Sequence, residues 1–309
     1  MEPQSLSVTF GGHQTFSFRH GWLEKGFRAI GEAADVFGAE DAIVRLGVGK
    51  NMVESIRHWC VLAQLIENDA DDGAKRARSY RPTDIGSRLL DPESGWDPYL
   101  EDDASLWLIH WLLVSNPVRR TVWQVVFAHF HKPEFSKAEL SDFLKSFLER
   151  YEIRVSASTL ARDLDCFLKT YVAPASDSEF TEENFDCPLA DLGLIRQSPE
   201  SDTFHFDVGP KYSLPPAVFY FAFEQFFEQS RSGKQTMTIQ ECLYGAGSPG
   251  QAFKLDENAL FEHIEALSEA TDGALLLDDT AGLKQIYRRR TFAATRVLEK
   301  YYQRKGAIR

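Results

Sequence analysis

The sequence predicts a mainly α-helical protein with short β-hairpins, assembled from tandem winged-helix-like (helix-turn-helix) units. Three observations predict it. Residues 39–66 read as a helix, a glycine turn and a second helix. Apolar residues recur at three- and four-residue steps in several later stretches, the spacing of one helix face. Paired strand-like runs across polar turns follow these helices, as a wing follows a recognition helix.

In the first unit, Ala42, Ile43 and Leu46 mark a short helix that Gly47 and Gly49 break. Glycine takes the positive φ of such turns without a Cβ clash. Met52, Ile56, Trp59, Ala63 and Ile66 then form an apolar face. The expected groove-facing side carries Lys50, Asn51, Ser55 and His58. A basic stretch follows, with Arg76, Arg78 and Arg81, and Tyr80–Leu90 reads as the wing that would meet phosphates. Helices near 102–115 and 118–130, rich in Trp107, Trp111, Trp123 and Phe127, read as core. Asp102 and its acidic neighbours suit the positive end of a helix dipole.

The second unit is a helix over 136–151 and another from Ser158 to Tyr171, with Arg162 and Lys169 outside and a hairpin over Leu192–Phe206. The third begins after a polar stretch at Gln229–Lys234. It has helices at 238–244 and 256–270, a hairpin pairing 274–277 with 283–287, and a final helix over 291–304. The domains expected are therefore 1–100, 101–231 and 232–309. The aromatic helix Ala217–Glu228 carries more ring surface than one face can hide, which suggests burial between domains or in a homodimer.

Composition bounds the function. The chain has 309 residues with 43% hydrophobic content, enough for two or three domains and too apolar for a disordered tail. A net charge of −12 argues against a non-specific nucleic-acid coat. Yet residues 284–309 hold nine Lys or Arg against the single acid Glu299, so a phosphate backbone could be gripped locally through Arg288, Arg289 and Arg290. The other outcome for this tail is docking on the acidic body of the same or another subunit. No apolar run reaches the roughly 18 residues of a membrane span. The N-terminus lacks a signal-peptide pattern, and the four scattered cysteines form no CxxC pair. A cytoplasmic protein without structural zinc is expected.

Four strings carry a family resemblance: FGGHQTFSFRHGWLEK over Phe10–Lys25, RLGVGKNM over Arg45–Met52, SPGQAFKLD over Ser248–Asp256, and DDTAG over Asp278–Gly282. Together they resemble the SspB family of the Ssp DNA phosphorothioation and phage-defence systems, across nearly the whole chain. The resemblance implies a DNA-nicking protein acting on double-stranded DNA. Its partners would be a cysteine desulfurase, an ATPase and a PAPS-reductase-like protein. It assigns no catalytic residue to this chain.

Nicking needs a nucleophile and charge neutralisation on the phosphate, for which carboxylates holding Mg²⁺ are the common solution. Asp163 with Asp165 in RDLDCF, and Asp278 with Asp279 at a hairpin tip, are the candidate ligands. The bland reading of the second pair is turn chemistry. A metal-free alternative uses His13, Arg19 and His20 of the N-terminal string for proton transfer and charge stabilisation. No restriction-type carboxylate and Glu-x-Lys set is evident, and Gly47–Lys50 lacks the spacing and the Ser or Thr of a phosphate loop. The sequence thus predicts a DNA-binding, nicking protein with Mg²⁺ as its candidate cofactor. A non-catalytic DNA-binding adaptor that recruits sulfur-transfer subunits, or a scaffold with no DNA contact, are the alternatives.

Overall fold

Helices carry most of the described chain, and three small sheets join them. The computed structural model describes residues 8–69, 79–117, 119–173, 187–199, 201–231, 233–271, 273–280 and 283–306. Contacts divide the chain into two units, Met1–Val126 with Glu134–His205, and Phe127–Pro133 with Phe206–Arg309. The first two predicted winged-helix-like segments fall largely in unit 1 and the third in unit 2.

Unit 1 opens with α1 (Trp22–Glu32), which buries Trp22, Leu23, Gly26, Phe27 and Ile30. A Cβ on Gly26 would stand 2.6 Å from Cys60 Sγ, so glycine sets how closely α1 approaches its neighbour. α2 (Ala42–Leu46) ends at Gly47, whose φ of 62° is the left-handed turn expected there. α3 (Lys50–Leu62) follows. β1 (Ile66–Asn68) pairs antiparallel with β2 (Tyr80–Pro82), and the basic residues Arg76 and Arg78 lie outside the described residues. The predicted wing stops at Pro82. Thr83 caps a helix, α4 (Asp84–Leu90), by accepting from Gly86 N. α5 (Asp103–Val114), capped by Asp102, is buried from Ala104 to Val114, which explains its lack of an amphipathic period.

After α6 (Val122–His129) come β3 (Glu134–Ser136), α7 (Lys137–Arg150), α8 (Ala157–Tyr171), β4 (Ile195–Gln197) and β5 (Thr203–Phe206). The sheet order is β3-β5-β4. Ser136 and Glu139 form a reciprocal capping box on α7, and Ser156, two residues before the expected Ser158, caps α8.

Unit 2 repeats this order of elements with two added helices. α9 (Pro216–Arg231) precedes β6 (Thr236–Thr238), α10 (Ile239–Tyr244), α11 (Pro249–Phe253), α12 (Glu257–Ala270), β7 (Leu275–Thr280), β8 (Leu283–Arg288) and α13 (Ala294–Gly306). The sheet order β6-β8-β7 again puts the last strand in the middle. Phe219, Tyr220, Phe221, Phe223, Phe226 and Phe227 of α9 are all buried within the single chain. The aromatic surplus that suggested a dimer is therefore accounted for inside one copy. All four cysteines are free and buried. Among the described residues no helix is long and apolar enough to cross a membrane.

Arg288 ties this unit together. It is 7% exposed, donates to Glu224 Oε2 at 3.1 Å and to Glu228, and lies 4.3 Å from the Phe227 ring centre. Burial pushes the Glu224 carboxyl above its ordinary range, against the pull of the guanidinium. Removing Arg288 would leave Glu224 buried without its cation, with Tyr220 as its remaining side-chain partner. Arg288→Ala is expected to lower unfolding stability by about 3 kcal/mol in urea titrations. A loss under about 1 kcal/mol would show the pair to be dispensable.

Candidate nucleic-acid interface

The N-terminal string folds inward. Val8 bridges Arg120, and Thr9 N donates to Arg120 O at 2.8 Å. Gly11, at φ 74°, donates its N–H to both oxygens of Asp163, at 3.0 and 3.1 Å. His13 follows into the core. Its Nδ1 accepts from Thr15 N at 3.0 Å, so the ring proton is assigned to Nε2. That Nε2 stands 3.2 Å from Asp163 Oδ1, within ion-pair distance but out of line for a hydrogen bond. Both side chains are 1% exposed.

α3 completes the pocket around the loop. Ser55 Oγ donates to His13 O at 3.0 Å, and Trp59 Nε1 donates to Phe16 O at 3.0 Å. His58 packs against Gly12, where a Cβ would stand 2.2 Å from its Nδ1. Burial first, then the neighbours His13, Arg119 and Arg57, hold the His58 imidazole down at about 3. Ser55 and His58 were expected on an outward polar face. They are buried because the loop, more than forty residues upstream of Ser55, covers that face and supplies its hydrogen-bond partners. Lys50 and Asn51, in the first turn of α3, are exposed as a groove-facing pair would be.

The other expected residues are scattered. Arg19 lies over the adjoining rings of Phe16 and Trp22, 5.7 and 5.5 Å from their centres, and His20 is exposed. The structure thus brings His13 together with Asp163, not with Arg19 and His20. Asp165 pairs with Lys137. Asp278 and Asp279 lie within β7, opposite Gln285 and Lys284, as strand residues and not at a tip. Arg81 pairs with Glu67 across β1 and β2. Arg289 and Arg290 are exposed, whereas the adjacent Arg288 is the internal cation described above.

The two helices that lead into three-stranded hairpins differ in charge. α8 exposes Ser158, Ala161, Arg162 and Lys169, with the half-exposed Asp165 between the two cations paired to Lys137. α12 exposes Asn258, Glu262, Glu265 and Glu269, which recur on one helical stripe. The first surface can approach phosphates; the second repels them. Sequence reasoning missed this contrast, although the spacing of the three glutamates was there to find.

A family profile described as a protein of unknown function, DUF4007, matches residues 10–302. A magnesium-ion-bound SspB crystal structure is 31% identical to this chain with a TM-score of 0.84, covering 96% of this chain and 88% of that one. A further SspB crystal structure is 30% identical with the same TM-score and coverage. The chain belongs to the SspB family. A comparison with curated protein sequences finds no match. For a magnesium ion, the residues of this SspB-family chain offer an uneven fit. Asp163 is buried and engaged by Gly11 and His13, Asp165 is engaged by Lys137, and Asp278 is exposed. Among the described residues no three His, Cys, Asp or Glu side chains gather into a metal-holding group. Magnesium commonly keeps several waters and takes only one or two carboxylates with substrate phosphates, so an exposed carboxylate such as Asp278 suits it better than the buried Asp163.

Proposed function

We propose that the chain is the DNA-binding component of a DNA phosphorothioate modification and antiphage defence system, with strand nicking as its activity on duplex DNA. The single observation that carries the DNA reading is the cationic exposed face of α8, set in a helix–strand–helix–helix–hairpin order, beside family membership. In this reading the units act as winged helices. α8 enters the major groove with Arg162 and Lys169 on phosphates, and Lys50 and Asn51 of α3 make a separate contact. Arg81, with Arg76 and Arg78, and the exposed Arg289 and Arg290 add backbone contacts. α12 stays out of the footprint because its glutamates would face phosphates. A magnesium ion, when bound, would supply charge neutralisation on the scissile phosphate, and Asp278 is the exposed carboxylate this reading assigns to it. The cysteine desulfurase, ATPase and PAPS-reductase-like proteins are the partners of this reading, and a cytoplasmic homodimer its setting.

One observation favours a second reading, a non-catalytic DNA-binding adaptor. His13 and Asp163, the best-placed acid–base pair, are locked in the core and reach no substrate. Arg162→Ala combined with Lys169→Ala is expected to lower the slope of log affinity against log salt by about 2 on duplex DNA. An unchanged slope would remove α8 from the interface. Relaxation of supercoiled plasmid with Mg²⁺ and not with EDTA supports nicking. No relaxation in either condition, with duplex binding intact, selects the adaptor.

A further inference from the structure

Unit 2 holds a cavity of about 580 Å³ between the start of α9, the end of α12 and α13. That volume lies within the usual range of small-molecule sites, roughly 300–1,000 Å³. Its floor is apolar, with Ala217, Leu267 and Val297, and beside it stand the exposed ring of Phe292 and the ring of Tyr301, 5.6 Å from the Lys305 ammonium. Arg296, Lys300 and Arg304 stand along its edge. These three recur every four residues, so they form one stripe with steps of about 6 Å along α13. Among the described residues none of the three makes an ion pair, although the chain is acidic overall.

Uncompensated cations beside an apolar pocket select an anion that also has an apolar body. Three cations in a row exceed what one carboxylate needs and suit a chain of phosphates. Two aromatic rings suit a flat partner, since every base offers a π-face for stacking. We infer that this cavity binds a nucleoside phosphate, with the base on the Phe292 and Tyr301 side and the phosphates on Arg296, Lys300 and Arg304. The source is either a free nucleotide or an unpaired nucleotide of a DNA strand. The inference does not rest on duplex binding by α3 or α8, which lie in unit 1.

The test is fluorescence anisotropy on the full chain with ADP carrying an N-methylanthraniloyl label. Saturable binding is expected. Lys300→Ala with Arg304→Ala, both exposed positions, should weaken it by about tenfold or more, the equivalent of one good charged contact. Val297→Trp fills the floor without altering any charge and should weaken it comparably. Unlabelled ADP should displace the probe at least about tenfold better than tripolyphosphate, which has the charge but no ring. Displacement by single-stranded oligothymidylate assigns the site to a DNA strand; displacement by ADP alone assigns it to a free nucleotide. No saturable binding, undiminished binding by Val297→Trp, or equal displacement by tripolyphosphate would each overturn the inference. Normal thermal unfolding of the Lys300 and Arg304 variant guards against misfolding as the cause.

Discussion

Replacing Asp163 by Ala is expected to destabilise unit 1 by about 3–5 kcal/mol and to release the N-terminal loop. The carboxylate accepts the Gly11 N–H on both oxygens and faces His13 Nε2 at 3.2 Å, in a site from which water is excluded. Without it the Gly11 N–H loses its acceptor and the imidazole its facing carboxylate, and a buried donor left unmade costs about 1–3 kcal/mol by itself. Asp163→Asn keeps one oxygen acceptor and should cost less than the alanine change. Urea unfolding gives the energies, and amide exchange over residues 11–16 reports the loop. Equal stabilities for wild type and Asp163→Ala, or unchanged protection of Thr15 and Phe16, would show that the loop holds by its rings alone.

Lys254→Met is expected to do the opposite and stabilise the protein near neutral pH. Lys254 is 6% exposed, and burial lowers its amine from 10.5 to about 7. Its ammonium lies 4.1 Å from the Phe206 ring centre and 5.2 Å from that of Phe127, which offsets part of the desolvation. Between pH 7 and 10.5 the unfolded chain holds this proton and the folded chain largely does not, so unfolding takes up a proton. Stability therefore rises with pH across that window and is lowest, for this group, below pH 7. The variant removes the penalty, worth about 2–4 kcal/mol at pH 7 after the ring contacts are discounted. Its advantage should shrink as pH climbs towards 10.5. Both residues at 254 share the left-handed backbone, φ 53°, so that strain cancels in the comparison. A variant that is less stable at pH 7, or an advantage constant from pH 7 to 10, would contradict this account.

Periodicity made much of the fold legible. α7, α8 and α12 show apolar steps of three and four, the glycines at 47 and 49 punctuate α2 and α3, and the β7–β8 ladder follows from two short apolar runs. What stayed hidden depends on partners far away in sequence. α3 has a polar face in isolation, and nothing local tells Ser55 and His58 that a distant loop will cover them. Arg288 looks identical to Arg289 and Arg290 until α9 brings Glu224 and Glu228 alongside. α4 was hidden by the basic stretch and the strand before it; Thr83 was the available start signal. In the site, Lys50, Asn51, Arg162 and Lys169 were legible as exposed cations and amides. The core role of His13 and Asp163 was not, because residue type alone does not distinguish a reactive histidine from a sealed one.

The carboxylate that fastens Gly11 sits 152 residues further on. During synthesis the Gly11 contact must therefore wait until α8 has left the ribosome, and until then the segment has only α3 to hold it. Closing so wide a ring late makes completion of this unit slow relative to its helices. The nascent chain is vulnerable to proteases and to self-association during elongation, well before any encounter with DNA.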